Sequence, residues 1–217
     1  MNAADTLRDQ LAQVGRSVVA AGLVVGSGGN LSARIPGTDQ CWVTATGTWL
    51  DRLDWVSFTR VRLADGTVVD AACAAPSSEL ALHLATYRRR PDTGAVVHLH
   101  PQTVLLLDAL GEPIRLVTTD HAYYLRRVVS TPFRPPGTTE LAELAASAAA
   151  DGTNCVLLAQ HGCSVLGDSV ELAHKRALYL EEAARLTYRA LALGRADALP
   201  DCPPAFLARR TDPSTGV

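Results

Sequence analysis

Apolar residues at Leu7, Leu11, Val14, Val18 and Val19 fall on one helical face, so the pattern predicts an amphipathic helix from about Asp5 to Leu23. The run GSGGN ends it. Short runs rich in β-branched and aromatic residues then predict strands in LSARI (31–35), CWVTATG (41–47) and WVSFTRVRL (55–63). The last is turned by Ala64-Asp65-Gly66 into a partner, TVVDA (67–71). Ser77-Ser78-Glu79 opens a helix running to about Arg90, where Pro91-Asp92 stops it. A strand GAVVHLH (94–100) follows, then a short helix from Pro101 to Leu110 with proline in its first turn. Strands are predicted at Ile114–Thr118 and Val128–Phe133, around an irregular TTDHAYYLRR (118–127). An alanine-rich helix covers Thr138–Ala150, a strand Cys155–Gln160, and a return strand Cys163–Leu166. A helix from about Ser169 to Leu193, stopped at Gly194, closes a single domain of residues 1–200, and the proline-rich 201–217 reads as a loose tail.

A chain of 217 residues, 47% hydrophobic, can bury a substantial core as one α/β domain. Its net charge of −2 gives no electrostatic footprint for nucleic acid or an anionic membrane. No apolar run reaches the roughly 18 residues that a membrane span needs, and the charged N-terminus does not read as a signal peptide. Five widely spaced cysteines (Cys41, Cys73, Cys155, Cys163, Cys202) without a CxxC argue for a reducing compartment, so a soluble cytoplasmic protein is expected. The basic residues are almost all arginine. The single lysine, Lys175, sits on the polar side of the last helix, which argues against Schiff-base chemistry.

The chemistry-bearing pattern is His98-x-His100 in a strand, where alternate residues share a face, with His161 at the end of another. Three imidazoles and an open fourth position suit a catalytic metal site. Two histidines merely hydrogen-bonded at a core edge are the plainer alternative. A cupin would need a glutamate a few residues on, and an amidohydrolase barrel a chain nearer the barrel norm of ~250 residues. Glu79 could serve as a further ligand or a general base, although an acid at a helix start is also simply favoured by the helix dipole. Ser77 and Ser78, with helix-start amides, form an anion site. Gly28, Gly29 and Asn30, and Thr46-Gly47, permit close backbone approach and alone read as turns. His83, four residues beyond Glu79 on the same helix face, reads as a surface or core-edge histidine, with support of the metal site from behind as the alternative. His174 reads as structural, Tyr179 and Tyr188 as packing or surface residues, and Cys163 as packing beside His161.

GGNLSAR, TATG, PSSELALH, VVHLHP and QHG, in that order and followed by a long helix, resemble the class II aldolase/adducin family of fuculose-phosphate aldolases and ribulose-phosphate 4-epimerases. The resemblance implies a three-layer α/β/α fold with a central, largely antiparallel mixed sheet. It implies a divalent metal on His98, His100 and His161, zinc first, with manganese, cobalt or iron(II) as alternatives. It also implies Glu79 as the catalytic acid/base and a phosphate pocket of Asn30, Thr46, Gly47, Ser77 and Ser78. The partners it implies are a small phosphorylated sugar and further copies of the chain, in a homotetramer with interface active sites. The chain departs from the family where the aldolases carry a proton-donating tyrosine, leaving Asp120, His121, Tyr123 and Tyr124 as candidate donors. The expected function is a metal-dependent aldolase cleaving or forming a small ketose phosphate through a metal-stabilised enediolate. Epimerase, dehydratase, decarboxylase and iron-dependent oxygenase activities are the alternatives. Retention of three histidines and Glu79 argues against a non-catalytic adducin-like binding domain.

Overall fold

A computed structural model describes residues 3–70 and 74–206. Helix α1 (Ala3–Ala20) leads into β1 (Asn30–Arg34), β2 (Gln40–Thr44) and β3 (Phe58–Arg62), then α2 (Leu80–Arg89), β4 (Ala95–Leu99) and α3 (Gln102–Leu110). After these come β5 (Val128–Thr131), α4 (Thr139–Ala148), β6 (Cys155–Leu158), β7 (Gly162–Gly167) and α5 (Val170–Ala192). The strands form one sheet in the order β3-β2-β1-β4-β7-β6-β5, and only β5 and β6 run parallel.

Strand alternation divides the apolar residues between two cores. Leu31, Ala33, Trp42, Ala95, Val97, Leu99 and Val165 pack under α1, α3 and α5 with Leu11, Val14, Leu107, Ala177 and Leu180. Their neighbours Cys41, Val43, Val61, Val96, Val156 and Leu166 face α2 and α4, against Leu82, Tyr87, Leu141 and Ala145. The result is the expected three-layer α/β/α fold around a largely antiparallel mixed sheet. No described helix is long and apolar enough to cross a membrane.

Several elements differ from the sequence pattern. Ile114–Thr118 is no strand: Ile114 and Leu116 pack on the core in an alternating, strand-like way. Their backbone is used elsewhere, however, with Arg115 N–H donating to Thr187 Oγ1 and the Leu116 carbonyl accepting from Cys202 N–H. Of TVVDA, only Val68 bridges β3, opposite Val61, and Ala71 lies outside the described residues. Residues 121–125 form a turn of π-helix rather than an irregular stretch. Within the expected tail, Cys202 is buried, Asp201 pairs with Arg115, and residues 207–217 lie outside the described residues.

The topology brings three distant segments to one end of the sheet. Asn30 on β1 pairs with His98 on β4, which pairs with Ser164 on β7, two residues from Gly162. The exit of β4 is fixed from across the layer by Glu181 of α5. This buried carboxylate accepts from Thr103 Oγ1 at 2.6 Å and from Val104 N–H at 3.2 Å, satisfying donors at the start of α3 directly after His100-Pro101. Glu181→Ala is expected to lower unfolding stability by about 1–3 kcal/mol, because it orphans buried donors. Urea denaturation with an unchanged midpoint would contradict this.

Candidate active site

His98, His100 and His161 converge as the strand pattern requires. Their ring centroids lie 4.8–5.3 Å apart, and one nitrogen from each lies within 4.8 Å of the others. Two glycines allow this crowding. A Cβ on Gly162 would stand 2.5 Å from both His100 Cδ2 and the Leu99 carbonyl, and one on Gly28 would stand 3.0 Å from His100 Nδ1. His161 follows Gln160, whose φ of 57° turns the chain sharply between β6 and β7.

Glu79 occupies the cap position of α2, yet its side chain makes no cap hydrogen bond. It points instead at the histidines, with Oε2 at 2.8 Å from His98 Nε2 and Oε1 at 3.3 Å from His161 Nε2. Burial works against ionisation of Glu79, but hydrogen bonds and charge from His161 and His98 outweigh it and hold the carboxyl well below its ordinary range. Burial, with His98 and His161 adding, pushes His100 down to about 4, so near neutral pH it is an uncharged ring with a lone pair.

The donor set fits a cation. His98 Nδ1 lies 3.0 Å from the Cys163 carbonyl, which fixes a proton there and aims Nε2 inward. That nitrogen meets Glu79 Oε2 and, at 3.1 Å, His100 Nε2. One proton can serve only one such pair, whereas a divalent ion serves them all. At 3.1 Å apart, His98 Nε2 and His100 Nε2 are near enough to share one ion.

A polar cavity of about 240 Å³ opens beside these groups, lined by His100, His161, Glu79, Asn30, Thr46, Gly47, Ser77 and Ser78. The Ala45–Pro76 bridge, with Thr46 N–H donating to Ala75 and Ser77 N–H to Thr44, sets the TATG and PSSE segments side by side. Ser27, Thr48 and Pro136 also line the cavity and went unread in the sequence, since small residues in turns carry no periodic signal. No arginine or lysine is among its lining residues.

The four candidate donors lie elsewhere in the protomer. Tyr124 stacks on Tyr179 of α5 at 4.7 Å, Tyr123 packs edge-on against Tyr124, and Tyr179 donates to Asp120. His121 is fully buried, 3.5 Å from Glu182. None of the four lines the cavity. His174 is structural, hydrogen-bonded to Ser17 of α1. Cys163 packs in the core beneath α5 rather than beside His161, because alternation in β7 turns it to that face.

Comparison with known proteins decides the family. Residues 9–188 match the model of the class II aldolase and adducin N-terminal domain. The chain belongs to the class II aldolase/adducin family. It is 33% identical over 165 residues to the L-fuculose phosphate aldolase of Methanococcus vannielii, covering 76% of this chain and 86% of the relative. It is 34% identical over 188 residues to the 3-oxo-tetronate 4-phosphate decarboxylase of Escherichia coli K12, covering 84% and 86%. The structure of an L-fuculose 1-phosphate aldolase superposes with a TM-score of 0.82 at 26% identity, covering 94% and 93% of the two chains. With the histidines and Glu79 in place, this member is an enzyme of the class II aldolase type.

His83, read from the sequence as a surface or core-edge histidine, is fully buried behind Glu79. Burial pushes it down to about 3, with His98 adding and Glu79 opposing. Between its ordinary value of 6.5 and about 3, the unfolded chain binds a proton on His83 that the folded chain refuses. Stability is therefore expected to fall as pH drops through this window, by up to about 1.4 kcal/mol per pH unit from this group. His83→Gln should flatten the dependence, and an unchanged slope in equilibrium unfolding at pH 6.5 to 4 would contradict the assignment.

Proposed function

We propose that the protein is a divalent-metal-dependent lyase acting on a small phosphorylated sugar, with aldol cleavage of a ketose phosphate, or its reverse, as the leading reaction. The observation that carries this reading is one buried carboxylate set between three converging imidazoles and a small cavity rich in neutral hydrogen-bond donors. His98, His100 and His161 would hold the ion. Zinc fits this nitrogen set, with manganese, cobalt or iron(II) as alternatives. When bound, the ion supplies Lewis acidity towards the negative charge that develops on substrate oxygen as the carbon–carbon bond breaks.

The other roles fall to the chain's own groups. Glu79 carries the proton to and from the reacting carbon, because its carboxylate faces the cavity and is held ionised. Ser77, Ser78, Thr46 and the Gly47 amide bind the phosphate at the far end of the cavity, where remote binding becomes orientation of the reacting carbon. Asn30 edges the same pocket. Its amide nitrogen carries two hydrogens, one given to Glu79 Oε2 at 3.2 Å and one left for the phosphate. The proton that the substrate hydroxyl loses as the aldehyde forms, and regains in the reverse reaction, is handled by Asp120, Tyr123 or Tyr124 of a neighbouring copy in a homotetramer, since these side chains lie away from the cavity of their own protomer and His121 is fully buried.

Decarboxylation is the second reading. It is favoured by the decarboxylase relative and by the missing tyrosine, because loss of carbon dioxide leaves the same charge on the substrate but requires no hydroxyl proton to be removed. The substrate panel and the two variants are all tested with zinc supplied. Incubated with a panel of ketose 1-phosphates, the protein should release dihydroxyacetone phosphate. Failure on every one, with loss of carbon dioxide from a phosphorylated β-keto acid, would replace the aldolase reading by the decarboxylase one. Glu79→Gln should reduce turnover at least 100-fold, roughly the scale of a general base, while keeping bound metal. His100→Ala should lose the metal itself. Metal content by mass spectrometry that is unchanged in His100→Ala would contradict the assignment of ligands.

A further inference from the structure

Glu79, His83 and Tyr87 are spaced i, i+4, i+8 on α2, and Asn30 and Ser32 are spaced i, i+2 on β1. Each set therefore lies on one face of its element. Four residues of helix rise ~6 Å and two residues of strand ~6.6 Å, so the two rows stay in step where the elements pack. Their side chains interleave. Tyr87 Oη lies 2.8 Å from Ser32 Oγ, and Ser32 Oγ lies 2.7 Å from His83 Nδ1. His83 Nε2 lies 2.5 Å from Asn30 Oδ1, and Asn30 Nδ2 lies 3.2 Å from Glu79 Oε2. All five residues are buried.

We infer that Tyr87, Ser32, His83 and Asn30 are positioning residues that hold the Glu79 carboxylate in one orientation through a one-way chain of hydrogen bonds. The inference rests on the proposed role of Glu79. Its direction follows from chemistry. A carboxylate only accepts, so Asn30 must present its NH₂ to Glu79 and its carbonyl oxygen to His83. That oxygen also only accepts, so His83 carries its proton on Nε2 and leaves Nδ1 to accept from the Ser32 hydroxyl. Ser32 then accepts from Tyr87. Every polarity is set from the Glu79 end, and reversing any link leaves two acceptors or two donors face to face in a buried site.

Packing alone does not account for the arrangement. Burying this many polar groups gains nothing over an apolar core of the same volume, and the chain ends on the carboxylate oxygen that lies 2.8 Å from His98. Pinning Oε2 leaves Oε1 turned towards His161.

Two measurements test the inference. In ¹⁵N-histidine-labelled protein, two-bond NMR correlations should show His83 as the neutral Nε2–H tautomer. An Nδ1–H tautomer would overturn the chain, whatever the substrate. For the phosphorylated substrate that the enzyme turns over, His83→Leu should lower kcat roughly 10- to 100-fold with KM little changed and bound metal retained. His83→Gln, which restores a donor to Asn30, should recover much of that loss. An unchanged kcat, or a loss that only follows the folded fraction and is not recovered by glutamine, would overturn the positioning role. If His83→Leu fails to fold, Tyr87→Phe removes the hydroxyl that donates to Ser32 and should lower kcat roughly 2- to 10-fold while shifting the His83 nitrogen signals. If wild-type protein turns over no phosphorylated sugar or keto acid, the proposed function fails, while the tautomer still decides whether the chain exists.

Discussion

Too many hydrogen-bond acceptors meet at one end of the central sheet. His98 Nε2, aimed inward because the other ring nitrogen bonds the Cys163 carbonyl, faces both a glutamate oxygen and the His100 nitrogen. In a buried site such a cluster is costly unless positive charge occupies its centre. Much of the surrounding structure serves this arrangement. Gly28 and Gly162 clear space for the rings, Glu181 fixes the chain just after His100, and Asn30 donates to the carboxylate from the side.

The sheet topology makes such a cluster buildable from distant parts of the chain. Strands β1, β4 and β7 are neighbours in space although up to about 130 residues separate them in sequence, and their ends supply Asn30, the histidine pair and the Gln160–Gly162 turn. Helix α2 brings Glu79 over the same end and presents the PSSE segment beside TATG. In the proposed function, charge stabilisation falls to the strand ends, while proton transfer and much of the phosphate anchoring share the PSSE segment at the start of α2. A scaffold divided in this way accommodates different bond-breaking steps by changing only what meets the leaving fragment. Its relatives accordingly include proteins named as aldolases and as decarboxylases.

The site was more legible in the sequence than parts of the fold. Strand alternation alone puts His98 and His100 on one face, and a glutamate behind two serines at a helix start is a compact local signal. Ile114–Thr118 was misread because alternation reports burial, not pairing, and the backbone there is taken by α5 and by Cys202. His83 stayed ambiguous in the sequence because a single histidine on a helix looks the same whether it faces solvent or a strand. The fuller pattern, E-x3-H-x3-Y on a helix together with N-x-S on a strand, becomes meaningful only once β1 is known to pack beneath α2. The group that would meet the leaving fragment was not legible, since nothing local ties a side chain such as Tyr123 or Tyr124 to the cavity, which neither of them lines.

X-ray absorption spectroscopy of the zinc-loaded protein is the most direct measurement of whether these imidazoles share one cation. One zinc per chain is expected, with three nitrogen neighbours at about 2.0–2.1 Å and one or two oxygens completing the shell. A spectrum with sulfur or only oxygen neighbours, or a protein that retains no zinc after dialysis, would contradict this.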